Sequence, residues 1–140
     1  MYVVVDVNVV LSSLLFKGNS FSIFSLNSLS NKFDFIAPEF LSIELNKHKK
    51  EIMERTKMPE KEFEENFDFI LSQINLIPDS DFNDKIIDAK KILGIHEKDV
   101  PYLALSLKLN CTIFSGDKKF KELCPDKVLN PREMIDKFFS

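Results

Sequence analysis

The chain opens on Tyr2-Val3-Val4-Val5 and ends that run abruptly at Asp6. A strand with one wet face alternates apolar and polar residues. A run without alternation belongs to a strand buried on both faces, the habit of parallel sheets covered by helices. This first strand therefore points to an α/β fold. Its terminal acid lies where such folds bind ligands, beyond the carboxyl ends of the strands.

The rest of the chain keeps to the same plan. Val9 to Phe16 reads as a helix stopped near Gly18, and Ser20 to Ser30 as a second, with Phe21, Phe24 and Leu29 at its apolar positions. Phe33 to Ala37 is a short strand. Pro38 is expected to open a third helix through Leu41, Leu45 and Ile52, because proline is tolerated in a first turn. Pro59 starts a fourth, with Phe63, Phe67, Ile70, Leu71 and Ile74 on one helical stripe. Leu76-Ile77 is a third strand. Asp81 to Leu93 is amphipathic, with Gly94 placed to stop it. Asp99 to Leu109 is apolar on most faces and reads as a buried helix. Cys111 to Phe114 and Lys127 to Leu129 complete a set of about five strands. Asn130-Pro131 opens a last helix that runs to Phe139. Strands alternating with helices imply a parallel sheet covered on both faces.

At 140 residues, with 44% hydrophobic and 29% charged, the chain suits one compact domain over residues 1–140. Fourteen Phe and no Trp make for an aromatic core, and three glycines argue against a Gly-rich phosphate loop or a propeller. A net charge of −3 means that any grip on nucleic acid is local or assisted by cations. Cys111 and Cys124 belong to no CxxC pair and read as reduced thiols. Met1–Val10 is apolar but lacks the basic start and small-residue cleavage site of a signal peptide, and no apolar stretch reaches the ~18 residues of a membrane span. The expected location is the cytoplasm.

The chemistry is carried by acids. Tyr2–Val5 runs into Asp6, and Cys111–Phe114 runs through Ser115-Gly116 into Asp117. In a parallel sheet both carboxylates leave the same edge. Asp99 opens the helix that returns down the sheet, so its first turn belongs at that edge too. Glu44 lies about two turns into the helix after the Phe33–Ala37 strand, which starts there as well. Two unit charges ~5 Å apart repel by ~3 kcal/mol at an effective dielectric of 20. Protonation or a cation must relieve such a cluster. Oxygen donors without Cys or His select Mg²⁺ or Mn²⁺, and such an ion suits phosphodiester hydrolysis by an activated water. Each acid also has an ordinary reading: a turn residue for Asp6 and Asp117, a helix cap for Asp99, a solvated helix residue for Glu44.

These residues resemble those of the PIN domain family, and within it the small VapC-type ribonucleases of prokaryotic toxin–antitoxin pairs. The matching pieces are Val4-Val5-Asp6-Val7-Asn8, Pro38–Glu44-Leu45, Asp99-Val100-Pro101-Tyr102-Leu103-Ala104-Leu105 and Ser115-Gly116-Asp117-Lys118. Their order and separations fit across essentially the whole chain. The resemblance implies a three-layer α/β/α fold and RNA hydrolysis with Mg²⁺ or Mn²⁺. It makes Asp6, Glu44, Asp99 and Asp117 the metal-binding acids, with Asn8 and Ser115 as hydrogen-bonding helpers in the site. It also implies an antitoxin partner wrapped on the first helices, and a homodimer. Pro101 departs mildly from the pattern and could tilt the first turn that carries Asp99.

Other features compete for roles. Lys47-His48-Lys49-Lys50 reads first as a solvated helix face, with contact to an RNA backbone as the functional alternative. Lys118 and Lys119 adjoin Asp117 and are better placed for phosphate. His96 reads as a loop histidine, with general base as the sharper alternative. Leu14, Leu15, Phe16, Phe21 and Phe24 are mostly core, with part available to a partner. Two rival functions remain. A HAD-like Mg²⁺ phosphatase also places an Asp after its first strand, but it needs a second Asp where this chain has Asn8, and a further acid where Lys121 stands. A PIN-like module that binds RNA or protein without cutting would not need the full acid set.

Overall fold

A computed structural model describes every residue from Met1 to Ser140. Five strands form one fully parallel sheet: β1 (Tyr2–Val5), β2 (Asp34–Pro38), β3 (Ile74–Ile77), β4 (Thr112–Phe114) and β5 (Val128–Leu129). Their order across the sheet is β3-β2-β1-β4-β5. The helices are α1 (Val7–Leu15), α2 (Asn19–Ser30), α3 (Phe40–Thr56), α4 (Glu60–Leu71), α5 (Ile86–Leu93), α6 (Val100–Leu109), α7 (Lys118–Leu123) and α8 (Pro131–Phe138). The fold is the expected three-layer α/β/α sandwich. Helix α1 packs on α2, α3 and α4, and α2 packs on α8; α5 packs on α6 and α7. Right-handed crossovers place these two groups on opposite faces.

The central strand behaves as its sequence demands. Val3, Val4 and Val5 are all fully buried, and α6 crosses behind them with Tyr102 to Ser106 buried as well. Phe24, Phe35 and Phe114 meet in one aromatic cluster, with ring centroids 5.2 to 6.3 Å apart. No single helix is long and apolar enough to cross a membrane.

The strand order decides where chemistry can sit. From β1 the chain winds outward one way to β2 and β3, then returns across the sheet to β4 and winds the other way to β5. The connections leaving β1 and β4 therefore diverge, and a crevice opens beyond their carboxyl ends. Val5 pairs with Phe114, and the Asp6 backbone N–H donates to the Phe114 carbonyl at 3.0 Å. Asp6 and Ser115 thus leave the sheet side by side.

Several element boundaries differ from expectation. Pro38 ends β2 instead of opening α3. Its missing N–H is harmless at a strand end, where Glu39 donates to the Ile77 carbonyl instead. Ile74 is not the last residue of the α4 stripe. It pairs with Phe35 as the first residue of β3. The expected helix over 81–93 is shorter. Asp79–Asp81 and Asn83–Lys85 are single 3₁₀ turns around the fully buried Phe82, and only Ile86 onward is α-helical. Helix α1 starts at Val7, two residues earlier than expected, which brings Asn8 into its first turn. Helix α7 was not anticipated. Pro101 sits in the first turn of α6, where proline fits, and leaves the helix regular.

Candidate active site

Asp6, the first residue beyond β1, is 4% exposed, and its Oδ2 accepts a 2.7 Å hydrogen bond from the Ser115 hydroxyl. Ser115 Oγ also accepts from the Asp117 backbone N–H at 3.1 Å. One buried serine therefore ties the β1 acid to the turn that presents the β4 acid. Asn8, from the first turn of α1, closes the same corner. Its Oδ1 accepts from the Gly116 N–H at 3.1 Å.

Asp117 is both a candidate site acid and a helix cap. Its Oδ1 accepts from Lys119 and Phe120 N–H at 2.8 and 3.1 Å, which starts α7 and leaves Oδ2 uncommitted. Asp99 ends the 3₁₀ turn Glu97–Asp99 and occupies the N-cap position of α6. Its side chain makes no capping bond, so the ordinary reading of that acid is not realised. Glu44 projects from α3, half-buried, and its Oε1 accepts from the Tyr102 hydroxyl at 2.8 Å.

All four acids line a single cleft of about 510 Å³, together with Val7, Asn8, Tyr102 and a rim of Ile95, His96, Glu97 and Lys98. Ser115 lies beneath it. The four carboxylates come from four separate stretches of chain, and none of them forms an ion pair with a lysine, an arginine or the N-terminus. Burial pushes Asp6 up to about 7; the Asp99 and Glu44 charges add to the rise, and the Ser115 hydrogen bond opposes it. Burial pushes Asp99 up to about 6, with the Asp117 and Glu44 charges adding and His96 opposing. Burial also raises the Tyr102 phenol above its ordinary value, and Glu44 beside it raises it further, so Tyr102 stays a neutral donor.

The other candidates divide. His96 is on the rim of the cleft. The 47–50 stretch is not: Lys49 pairs with Glu64 and lies over the Phe67 ring, and His48 faces Glu51. Lys118 and Lys119 lie outside the cleft lining, and Lys119 pairs with Glu122. The sequence reading passed over Tyr102. The available signal was its position three residues after Asp99, which on a helix puts both side chains on one face.

The matching family model is that of the PIN domain, over residues 4–124. The chain belongs to the PIN domain family. In fold it is VapC-like: it superposes on a chain from the crystal structure of VapBC2 from Rickettsia felis bound to a DNA fragment from their promoter. That match has a TM-score of 0.70 at 13% identity and covers 93% of this chain and 98% of the other. At that identity the likeness speaks for the fold. No curated protein sequence matches the chain. PIN membership removes the HAD-like phosphatase reading.

PIN nucleases of this type use divalent metals, and the residues of this PIN domain fit one. The four acids offer only oxygen donors, burial and the neighbouring carboxylates raise Asp6 and Asp99 above the usual carboxylate range, and no ion pair neutralises the set. No three His, Cys, Asp or Glu side chains are gathered into a ready-made cage. Oxygen donors of this kind suit a hard cation such as Mg²⁺, which keeps several waters and takes one or two carboxylates directly.

Proposed function

We propose that this PIN domain is a metal-dependent endoribonuclease, with residues 1–140 as one catalytic domain. The observation that carries the reading is the convergence of four carboxylates from separate segments on one cleft without a basic partner. Asp6, Glu44, Asp99 and Asp117 would hold Mg²⁺ or Mn²⁺, directly or through its waters. Bound there, the cation would lower the pKa of a water and offset the charge that builds on the phosphate during hydrolysis. A cation bound there would favour the ionised form of Asp6, because ligating carboxylates bind a metal deprotonated. Ser115 and Asn8 hold Asp6 and the Gly116–Asp117 turn in register. The imidazole of His96 and the ammonium of Lys98, at the rim, meet the phosphate backbone of the incoming strand.

The likeness to a chain of a VapBC2 complex supports a toxin role with an antitoxin as partner. Exposed Phe16, Leu26 and Leu29 on and beside α2 offer the apolar surface for it. A homodimer is what the family resemblance implies. With RNA as substrate, the cytoplasm is its place of action.

The test is cleavage of labelled RNA by the purified chain, freed of any partner, beside hydrolysis of a small phosphate monoester. The reading expects RNA cleavage that EDTA stops and Mg²⁺ or Mn²⁺ restores, with the monoester untouched. A protein that binds RNA tightly but never cuts it, at any Mg²⁺ or Mn²⁺ concentration, would instead be a non-catalytic binding module.

A further inference from the structure

Glu44 differs from the other three acids in how it is held. Asp6, Asp99 and Asp117 sit at the ends of strands or helices, where the backbone fixes their direction. Glu44 lies inside α3 and has a longer side chain with more rotamers to lose. Tyr102 is its one hydrogen-bonding partner in the protein, through Oε1 at 2.8 Å. Oε2 has no protein partner.

Tyr102 is itself immobile. It is 1% exposed, it stands one helical turn after Asp99, and its ring lies 6.4 Å from that of Phe40. Phe40 and Glu44 are four residues apart on α3, hence neighbours on one face. One side chain of α6 therefore braces the face of α3 that carries the fourth acid, with its ring on Phe40 and its hydroxyl on Glu44.

Resting on the nuclease reading above, we propose that Tyr102 is a positioning residue for the metal site: its hydroxyl holds the Glu44 carboxylate on the cleft wall where it would meet the cation, and couples Glu44 to Asp99 across the cleft. Partners behind a ligand commonly govern metal affinity or activity by about 10–100-fold. Tyr102→Phe keeps the ring on Phe40 and removes only the hydroxyl.

The experiment measures Mn²⁺ affinity by calorimetry, without RNA, for the wild type, Tyr102→Phe, Glu44→Gln, the double variant and Asp6→Asn. Melting temperatures in EDTA are taken in parallel. The proposal expects Tyr102→Phe to weaken Mn²⁺ binding by about 10-fold. It expects Glu44→Gln to weaken it at least as much, and the double variant to match Glu44→Gln alone. Equal Mn²⁺ affinity for the wild type and Tyr102→Phe, alongside loss of binding in Asp6→Asn, would overturn the role of Tyr102 and leave the metal site standing. The same loss from Tyr102→Phe whether or not Glu44 is intact, accompanied by a fall of melting temperature in EDTA, would mark Tyr102 as merely structural. A wild type that binds no Mn²⁺ would overturn the nuclease reading and this inference together.

Discussion

Asp6 is a carboxyl whose charged form burial disfavours. Its ordinary pKa is 3.8 and burial carries it to about 7. Between those values the folded protein binds a proton that the unfolded chain releases. Without metal, stability from this group is therefore full below pH ~4 and is lost as pH rises toward 7, on the order of 4 kcal/mol across the window. Melting temperatures in EDTA should fall over that range for the wild type, and Asp6→Asn should flatten the slope. A wild-type profile that does not differ from that of Asp6→Asn would contradict the burial argument. The same proton opposes metal, so Mn²⁺ affinity should rise between pH 6 and pH 8. Ser115→Ala leaves Asp6 Oδ2 and the Asp117 N–H without a shared partner and should cost about 1–3 kcal/mol in chemical denaturation. At this scale the sequence was informative wherever an acid ends a strand: Asp6 and Asp117 follow from the pattern of apolar runs, and Asp99 from the return of its helix. Glu44 rested on family resemblance, since mid-helix carboxylates look alike in sequence. Tyr102 escaped because what marks it is a partner 58 residues away.

The elements that were legible are those with a strong apolar signature, and those that were not are the ones held by polar detail. Helix α7 has only Phe120 and Leu123 in six residues, too few for a stripe, and exists because Asp117 caps it while Phe120 is buried. Pro38 and Ile74 were misplaced by a helical pattern that stops short at strand pairing, a contact between distant segments that periodicity does not report. The buried Asn27 is another such device. Its amide accepts from the Phe33 N–H at 2.8 Å and donates to the Phe33 carbonyl and to Gln73, at 3.2 Å each. It thus closes the α2–β2 turn, where Asn31 takes the left-handed conformation at φ 51. Asn27→Ala strips two buried backbone groups of partners and should destabilise by about 2–3 kcal/mol, read by urea unfolding. A loss below half a kcal/mol would mean that the turn is held by the flanking aromatic packing alone.

At the scale of the molecule, the proposed function rests on one topological fact. The chain winds away from the sheet centre in both directions, so the carboxyl ends of β1 and β4 face a crevice that no connection covers. Acids at those two ends, joined by the N-cap of α6 and the face of α3, gather four carboxyl groups in one cleft of a protein that is itself acidic. A cation relieves that strain in the folded state alone. Mn²⁺ at 100 times its dissociation constant should therefore stabilise the fold by about 2.7 kcal/mol. For a chain of this length that corresponds to a rise in melting temperature of several degrees, roughly 2–4 °C for each kcal/mol. Glu44→Gln and Asp117→Asn should shrink the rise. The most direct measurement is RNA cleavage by the wild type, Asp6→Asn and Asp117→Asn, each shown to be folded, in Mg²⁺ or Mn²⁺ and again in EDTA. The account predicts cleavage by the wild type that EDTA abolishes, and loss of at least 100-fold in either variant, about the 2.7 kcal/mol that such a factor represents. Cleavage that survives EDTA, or that both variants retain, would contradict it.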